Sequence, residues 1–143
     1  IKNIEFVTIA TLGDSQDFGE VSTAVRNLYP ACSSTRGVFA GAQTSTSSPY
    51  NYVNTIEFIT IATLGNTSDF GDMTQARSRG AGVSNSIRGV FLGGFVPGSP
   101  TTYTNRIDFV TIASTGNATD FGDLLAAIGS MGGASDSHGG IGD

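Results

Sequence analysis

Three carboxylates recur at one position of a repeated segment, where they could line a cation site. Each follows a turn that has an Asn or Asp three residues earlier, and the carboxylates are Asp17, Asp69 and Asp120. Oxygen-rich turns suit calcium. However, the spacing does not match the twelve-residue calcium loop, and short polar side chains in turns commonly hydrogen-bond their own backbone. We prefer the turn interpretation and expect no metal ion and no cofactor.

The residue types needed for nucleophilic catalysis are scarce. His138 is the only histidine and Cys32 the only cysteine. A hydrolase triad needs a nucleophile, a base and a positioned acid, and spacing assigns no serine or cysteine to His138. One cysteine cannot form an internal disulfide, so Cys32 is predicted to be a small buried core residue. We therefore expect that the chain is not an enzyme.

Two arginines are candidates for structural contacts. Arg36 and Arg88 occupy the same place in successive repeats, just before a predicted buried strand. There a guanidinium could bridge to an Asp or Glu of the neighbouring unit. We assign both arginines, together with the three recurring aspartates, to contacts between units, with ligand binding as the alternative.

Three tyrosines are candidates for binding. Tyr50 and Tyr52 fall in segment 43–52 and Tyr103 in segment 95–103, which occupy equivalent places and are rich in Ser, Thr and Pro. Tyrosine among small polar residues suits adaptable recognition surfaces. The same composition is typical of plain loops, so surface contact and loop packing both stay open.

A threefold repeat provides the elements that position these residues. Segment 4–13 recurs at 56–65 and at 107–116, and each copy is followed by Asp-Phe-Gly and a further acidic residue. Repeats of about 40–50 residues with several strands each are typical of propeller blades. We predict an all-β chain, a β-propeller built from four-stranded antiparallel blades, with about three blades' worth of sequence.

Within one period the pattern predicts a four-stranded meander. Its strands are predicted over 79–84, 88–94 and 107–113, with a last short strand near 123–125, after the turn at Gly116-Asn117. The strand over 4–10 has bulky apolar residues on both faces, which indicates that both faces are buried, as in stacked blades. A parallel β-helix is the structural rival, but its coils usually repeat every ~20–30 residues.

Composition and charge exclude two classes of partner. The chain has 20 glycines, 13% charged residues and a net charge of −5. Nucleic-acid binders generally carry a basic face, so we expect no nucleic-acid partner. The longest apolar runs are far shorter than the ~20 residues that span a bilayer, so we expect no membrane insertion.

Segments 88–94, 107–113 and 115–123 resemble the kelch-like repeats of tailed-bacteriophage virion proteins, particularly fibre, tail and head-decoration proteins. Gly93-Gly94 matches the double glycine that ends the second strand of a kelch blade. The chain departs from the pattern at Gly41-Ala42, and it lacks the aromatic pair of cellular kelch repeats. The resemblance covers nearly the whole chain.

The resemblance implies a division of the single region 1–143 into parts of blades. They are a half-blade of outer strands at 1–27, blades at 28–78 and 79–129, and a half-blade of inner strands at 130–143. Three blades cannot close a ring, which needs ~4–8. Either further blades precede Ile1, or two copies form a six-bladed ring, or the chain stacks on a neighbour.

For function, the resemblance implies a non-enzymatic structural or adhesive protein of the virion or another extracellular surface. The partners it implies are other virion subunits or copies of the chain itself, with a host-surface glycan as a further candidate. A carbohydrate-binding, lectin-like propeller is the alternative and predicts one aromatic pocket per blade. A propeller enzyme is disfavoured, because nearly identical repeats do not build one active site.

Overall fold

The computed structural model describes residues 1–98 and 102–135, and the predicted all-β class is confirmed for this part of the chain. Its strands are short and follow one another without an intervening helix. In chain order they are β1 (Asn3–Phe6), β2 (Gln16–Glu20), β3 (Tyr29–Cys32), β4 (Arg36–Gln43), β5 (Tyr52–Thr60), β6 (Ser68–Asp72), β7 (Ala81–Ser84), β8 (Arg88–Leu92), β9 (Phe95–Val96), β10 (Thr102–Tyr103), β11 (Arg106–Thr111) and β12 (Thr119–Asp123).

The sequence repeat corresponds to a repeated antiparallel sheet. The second sheet has the strand order β3-β4-β5-β6, and the third has the order β7-β8-β11-β12. The first sheet contains only β1 and β2, which are equivalent to the outer strands β5 and β6. Strands β9 and β10 form a separate ribbon on the third repeat. In each full sheet the strand order follows the chain order, as in a meander, although β9 and β10 separate β8 from β11 along the chain.

Each outer strand pair has the same irregularity. The register shifts once in every pair, immediately before an acidic residue. A bulge of this kind bends the strand and re-aims the side chain that follows it. The three positions of the shift are Ile4/Glu5, Ile56/Glu57 and Ile107/Asp108.

The core lies between the second and third sheets. It takes buried side chains from both sheets, which shows that the two sheets pack against each other. Full burial of one large apolar side chain contributes roughly 1.5–3 kcal/mol. The cluster consists of Tyr29, Ala31, Val38, Ala40, Ile56, Phe70, Met73, Phe91, Val110 and Ile112.

The inner strands β3 and β7 run close together, and glycine makes this possible. A Cβ atom placed on Gly82 would overlap the carbonyl oxygen of Pro30. At the end of the same strand pair the N–H of Cys32 donates to the hydroxyl of Ser84 at 3.0 Å. Cys32 is half-buried rather than the buried core residue that the sequence predicts.

Two predicted strands differ from those observed. The fourth strand of the third repeat was expected near 123–125 but covers Thr119–Asp123, because the turn before it is tight and the Asp-Phe-Gly segment itself pairs with β11. In the first repeat the strand ends at Phe6, and Ile9 is 97% exposed. Within the described residues no strand pairs with the other edge of β1, whose apolar side chains Ile4 and Phe6 are half-buried.

Candidate assembly interface

One main-chain contact joins each sheet to the next. The turn between β5 and β6 runs along β2 of the first sheet, and the turn between β11 and β12 runs along β6 of the second sheet. At the first junction the N–H groups of Gly65 and Thr67 donate to the carbonyl oxygens of Phe18 and Glu20, at 2.8 and 2.9 Å. The turn thereby extends the hydrogen bonding of β2 beyond its own sheet.

The second junction repeats this geometry. The N–H groups of Gly116 and Ala118 donate to the carbonyl oxygens of Phe70 and Asp72, at 2.7 and 2.8 Å. The donors and acceptors occupy the same repeat positions as those at the first junction. Since main-chain groups make these bonds, the contact tolerates Thr at one junction and Ala at the other.

An asparagine side chain completes each junction. The Oδ1 atom of Asn66 accepts the N–H of Glu20, and that of Asn117 accepts the N–H of Asp72, both at 3.0 Å. The sequence interpretation, in which these turn side chains bond their own backbone, is therefore wrong for both asparagines. Each asparagine accepts an N–H of the preceding sheet, so the turn joins two sheets.

Glycine is required where the turn crosses the outer strand. Gly71 has a φ of +145°, and a Cβ there would lie 2.5 Å from the carbonyl carbon of Gly116. Gly19 has a φ of +154°, and its Cβ would overlap the carbonyl oxygen of Gly65. The recurring Phe-Gly pair is thus a consequence of the close approach of two backbones.

The acidic residues at the bulges form a second set of junction contacts. The carboxylate of Glu57 accepts the N–H of Ser22, at 3.3 and 3.4 Å to its two oxygens. Asp108 accepts the N–H of Thr74 at 3.1 Å and its hydroxyl at 2.6 Å. Sequence reasoning missed these carboxylates. The available signal was an acidic residue recurring at one position inside an otherwise apolar strand.

Asp108 also forms a buried ion pair. Its Oδ2 lies 3.1 Å from Nη2 of Arg77, and both side chains are fully buried. Arg77 donates in addition to the carbonyl oxygens of Arg106 at 2.8 Å and Phe91 at 3.0 Å. Burial lowers the pKa of Arg77, and the charge of Asp108 opposes this shift. Arg77 follows β6, so the pair fixes the end of the second sheet to β8 and β11 of the third.

Tyr29 packs beside this ion pair. The guanidinium carbon of Arg77 lies 5.7 Å from the centre of the Tyr29 ring. The Tyr29 hydroxyl donates to the carbonyl oxygen of Gly93 at 2.9 Å. Burial raises the pKa of the phenol far above its ordinary value. Tyr29 therefore stays neutral and bridges β3 to the end of β8.

The predicted arginines stack on aromatic rings of their own sheets. Arg36 lies 4.5 Å from the centre of the Phe58 ring, and Arg88 lies 4.9 Å from that of Phe109. Arg36 also reaches the third sheet, where it donates to the carbonyl oxygen of Ile112 at 2.9 Å. Its partner across the junction is thus a carbonyl oxygen and not the carboxylate that the sequence suggested.

The three recurring aspartates lie on the outer strands and are exposed. Asp17, Asp69 and Asp120 form no ion pair within residues 1–98 and 102–135, where the salt bridge is Arg77–Asp108. The main chain of their strands, and not their carboxylates, makes the contact with the next sheet.

The candidate tyrosines divide into exposed and buried side chains. Tyr52 was predicted to lie in a surface loop, but it begins β5, pairs with Gln43 and is 8% exposed. The β4–β5 hairpin extends further than predicted and takes Tyr52 into the fold. Tyr50 and Tyr103 are exposed by 43% and 53%, and Tyr103 packs on Phe95 with ring centres 4.7 Å apart.

Two features are absent from the described residues, a cluster of potential metal ligands and a helix that could span a membrane. Across residues 1–98 and 102–135 no group of three or more potential metal ligands occurs. In the same part of the chain no helix is long and apolar enough to cross a membrane. His138 lies outside the described residues.

No family model matches the chain, and no curated protein matches it.

Proposed function

We propose that this chain supplies blades of a β-propeller whose role is structural or adhesive. The observation that carries the proposal is the recurrence of one junction. Gly65 and Gly116 cross the preceding outer strand in the same way, with the same asparagine contact beside each. A junction repeated in this way adds each sheet to the last by the same displacement, which suits an array arranged around one axis.

The packing of the inner strands also supports a propeller. β3 and β7 lie side by side, and the backbone of β3 leaves no room for a side chain at position 82. Blades converge towards the axis, so close approach of inner strands is expected there. A crystal structure would test this arrangement. Successive sheets should be related by one constant rotation that divides the circle into ~4–8 steps, and any other relationship would contradict the propeller.

We place this propeller on the virion of a tailed bacteriophage, as a tail, fibre or capsid-surface component that contacts other subunits. The resemblance of segments 88–94 and 107–113 to virion kelch-like repeats supports this placement. Mass spectrometry of gradient-purified phage particles tests it. The tryptic peptide that covers residues 89–106 should be recovered from the gradient fraction that contains the particles, in a fixed ratio to peptides of the capsid protein. Its recovery only in the non-particle fraction would contradict the virion assignment.

Glycan binding is a second candidate, favoured by the exposed rings of Tyr50 and Tyr103. Tyr50 precedes β5 and Tyr103 lies in β10, and exposed aromatic rings of this kind could stack on sugars. Glycan-array binding should fall on substitution of both tyrosines with alanine. The matched control is Tyr50→Phe with Tyr103→Phe, which keeps the rings. Equal binding by the alanine variant would reject this candidate.

A further inference from the structure

We infer that the exposed face of the third sheet is a docking surface for a second copy of this chain, and that the turn at residues 13–15 of that copy occupies it. This inference deepens the structural role proposed above by naming the partner and the contact. It rests on the two junctions already present inside the chain, which serve as its template.

The third sheet presents the same face that the next repeat covers at both internal junctions. Phe18 and Phe70 are 7% and 2% exposed, whereas the equivalent Phe121 is 54% exposed. A Cβ on Gly122 would meet no atom within 4 Å, although one on Gly71 would meet the turn of the following repeat. The surface that a turn covers twice in this chain is thus uncovered a third time.

Two further large apolar side chains of the third repeat are exposed. Leu125 and Ile128 are 110% and 46% exposed and lie beside Phe121 in the sequence of the third repeat. At the position of Ile128 the second repeat has Arg77, which is fully buried. Covering large exposed apolar side chains is favourable, so their exposure on the third repeat is consistent with an interaction surface.

The matching turn is at the other end of the chain. Gly13, Asp14 and Ser15 occupy the repeat positions of the turns that make the two internal junctions. In a second copy, the N–H groups of Gly13 and Ser15 would donate to the carbonyl oxygens of Phe121 and Asp123. Asp14 would accept the N–H of Asp123, as the asparagines do at the internal junctions.

A second set of contacts has the same polarity. Asn27, Arg79 and Ser130 occupy equivalent positions, and all are left-handed, with φ of 60°, 57° and 58°. The N–H of Arg79 donates to the carbonyl oxygen of Asn27 at 3.2 Å, and that of Ser130 to Arg79 at 2.6 Å. Each repeat thus donates to the one before it. Within residues 1–98 and 102–135 no further repeat donates to the carbonyl of Ser130 or accepts the N–H of Asn27, so a second copy could use both groups.

The bulge carboxylates supply a third set. Glu57 and Asp108 accept N–H groups of the preceding repeat at Ser22 and Thr74. Glu5 holds the equivalent position in the first repeat, where it accepts the hydroxyl of Ser15 at 2.7 Å. The N–H of Leu125 in the third repeat corresponds to those of Ser22 and Thr74. Glu5 of a second copy would be its acceptor.

Docking of this kind is head-to-tail, so each copy uses one face as acceptor and one turn as donor. Such contacts form a ring when the rotation closes. Two copies bring six repeats together, which is within the ~4–8 units of known propellers. The expected species is a dimer.

Light scattering on a matched pair of glycine variants tests the inference. Wild type should reach twice the 14.7 kDa of one chain in a concentration-dependent manner. Gly122→Ala places a Cβ where the turn must cross, so it should weaken association by ~10–100-fold. Gly132→Ala is the control, because a Cβ on Gly132 would meet no atom within 4 Å and Gly132 takes no part in the proposed contacts. Monomeric wild type, or equal effects of the two variants, would overturn the inference.

A mixing experiment tests the polarity and does not depend on either glycine variant alone. Ser15→Pro removes the N–H donor of the turn. The Gly122→Ala chain keeps a usable turn, and the Ser15→Pro chain keeps a usable face. Both should be monomeric alone and should associate when mixed, through one intact junction. A mixture that stays monomeric would contradict head-to-tail docking. Phage localisation is measured separately, so failure of the virion assignment would leave this result unchanged.

Discussion

Arg77 and Asp108 are paired at 3.1 Å at the junction of the second and third sheets, with both side chains fully buried. The equivalent positions for Arg77 in the other repeats hold Val25 and Ile128. The ion pair is therefore specific to one junction, whereas the main-chain contact is common to both. The two kinds of contact should respond differently to substitution.

Removal of one ion-pair partner should be strongly destabilising. Asp108→Ala leaves the Arg77 guanidinium buried without a counter-charge, and we expect the free energy of unfolding to fall by about 3–5 kcal/mol. Urea denaturation followed by circular dichroism measures this change. Asp69→Ala removes an exposed carboxylate from an outer strand and should change stability by less than about 0.5 kcal/mol. Similar losses in the two variants would show that the buried pair is not the stabilising contact.

Two glycines that differ in their surroundings should differ in tolerance. Gly71→Ala brings a Cβ against the backbone of Gly116, whereas a Cβ on Gly65 meets nothing within 4 Å. Both have positive φ, so the backbone strain is comparable. We expect Gly71→Ala to be less stable than Gly65→Ala by about 1–3 kcal/mol, the usual effect of overpacking. Thermal unfolding of the two variants gives the difference, and equal midpoints would contradict the close approach.

Stability should fall in alkaline solution because of Tyr29. The folded chain keeps this phenol protonated, since burial raises its pKa above the ordinary ~10, while the unfolded chain releases the proton. The contribution of Tyr29 to the free energy of unfolding is complete below pH ~10. Above that pH it decreases by up to about 1.4 kcal/mol per pH unit. Urea titrations between about pH 9 and pH 11 should show this slope in wild type and in Tyr103→Phe. Persistence of the full slope in Tyr29→Phe would assign it to another group.

The charge of Asp14 should oppose docking of a second copy. At the internal junctions a neutral asparagine faces an acidic outer strand, but Asp14 would bring a carboxylate to Asp123. We expect Asp14→Asn to tighten dimerisation several-fold at low ionic strength. The difference should vanish near 1 M salt, where the screening length is about 3 Å. Sedimentation equilibrium at both salt concentrations measures it, with Asp69→Asn as the control for net charge. A salt-independent affinity of wild type would contradict this placement of Asp14.

Local sequence patterns predicted the repeat and its strands. The strands predicted over 107–113 and 79–84 appear close to their expected places, because alternation and the spacing of glycines act over a few residues. The prediction for Tyr52 was wrong because it also relied on the composition of a short segment. The segment composition indicated a loop, but pairing with Gln43 extends the β4–β5 hairpin through it.

Contacts across the junctions were beyond local patterns. Asn66 and Glu20 are 46 residues apart, and nothing in either turn indicates that the amide reaches the neighbouring sheet. The Arg77–Asp108 pair occurs once, so the repeat gave no second instance from which to detect it. The aspartate at position 17 recurs in every repeat, yet its side chain is exposed. Recurrence alone therefore does not show whether the side chain or the main chain of a residue makes the contact.

The main-chain character of the turn-on-strand junction also affects how such a chain can evolve. Apart from one glycine and one short amide, the contact requires few particular side chains, as the exchange of Thr67 for Ala118 illustrates. A duplicated gene segment encoding one period would therefore carry a ready interface at both of its ends. None of the turn-on-strand bonds described above involves segments 43–52 or 95–103, which differ from each other in sequence. The number of repeats and the sequence of these segments can thus change independently, while the contact between repeats stays the same.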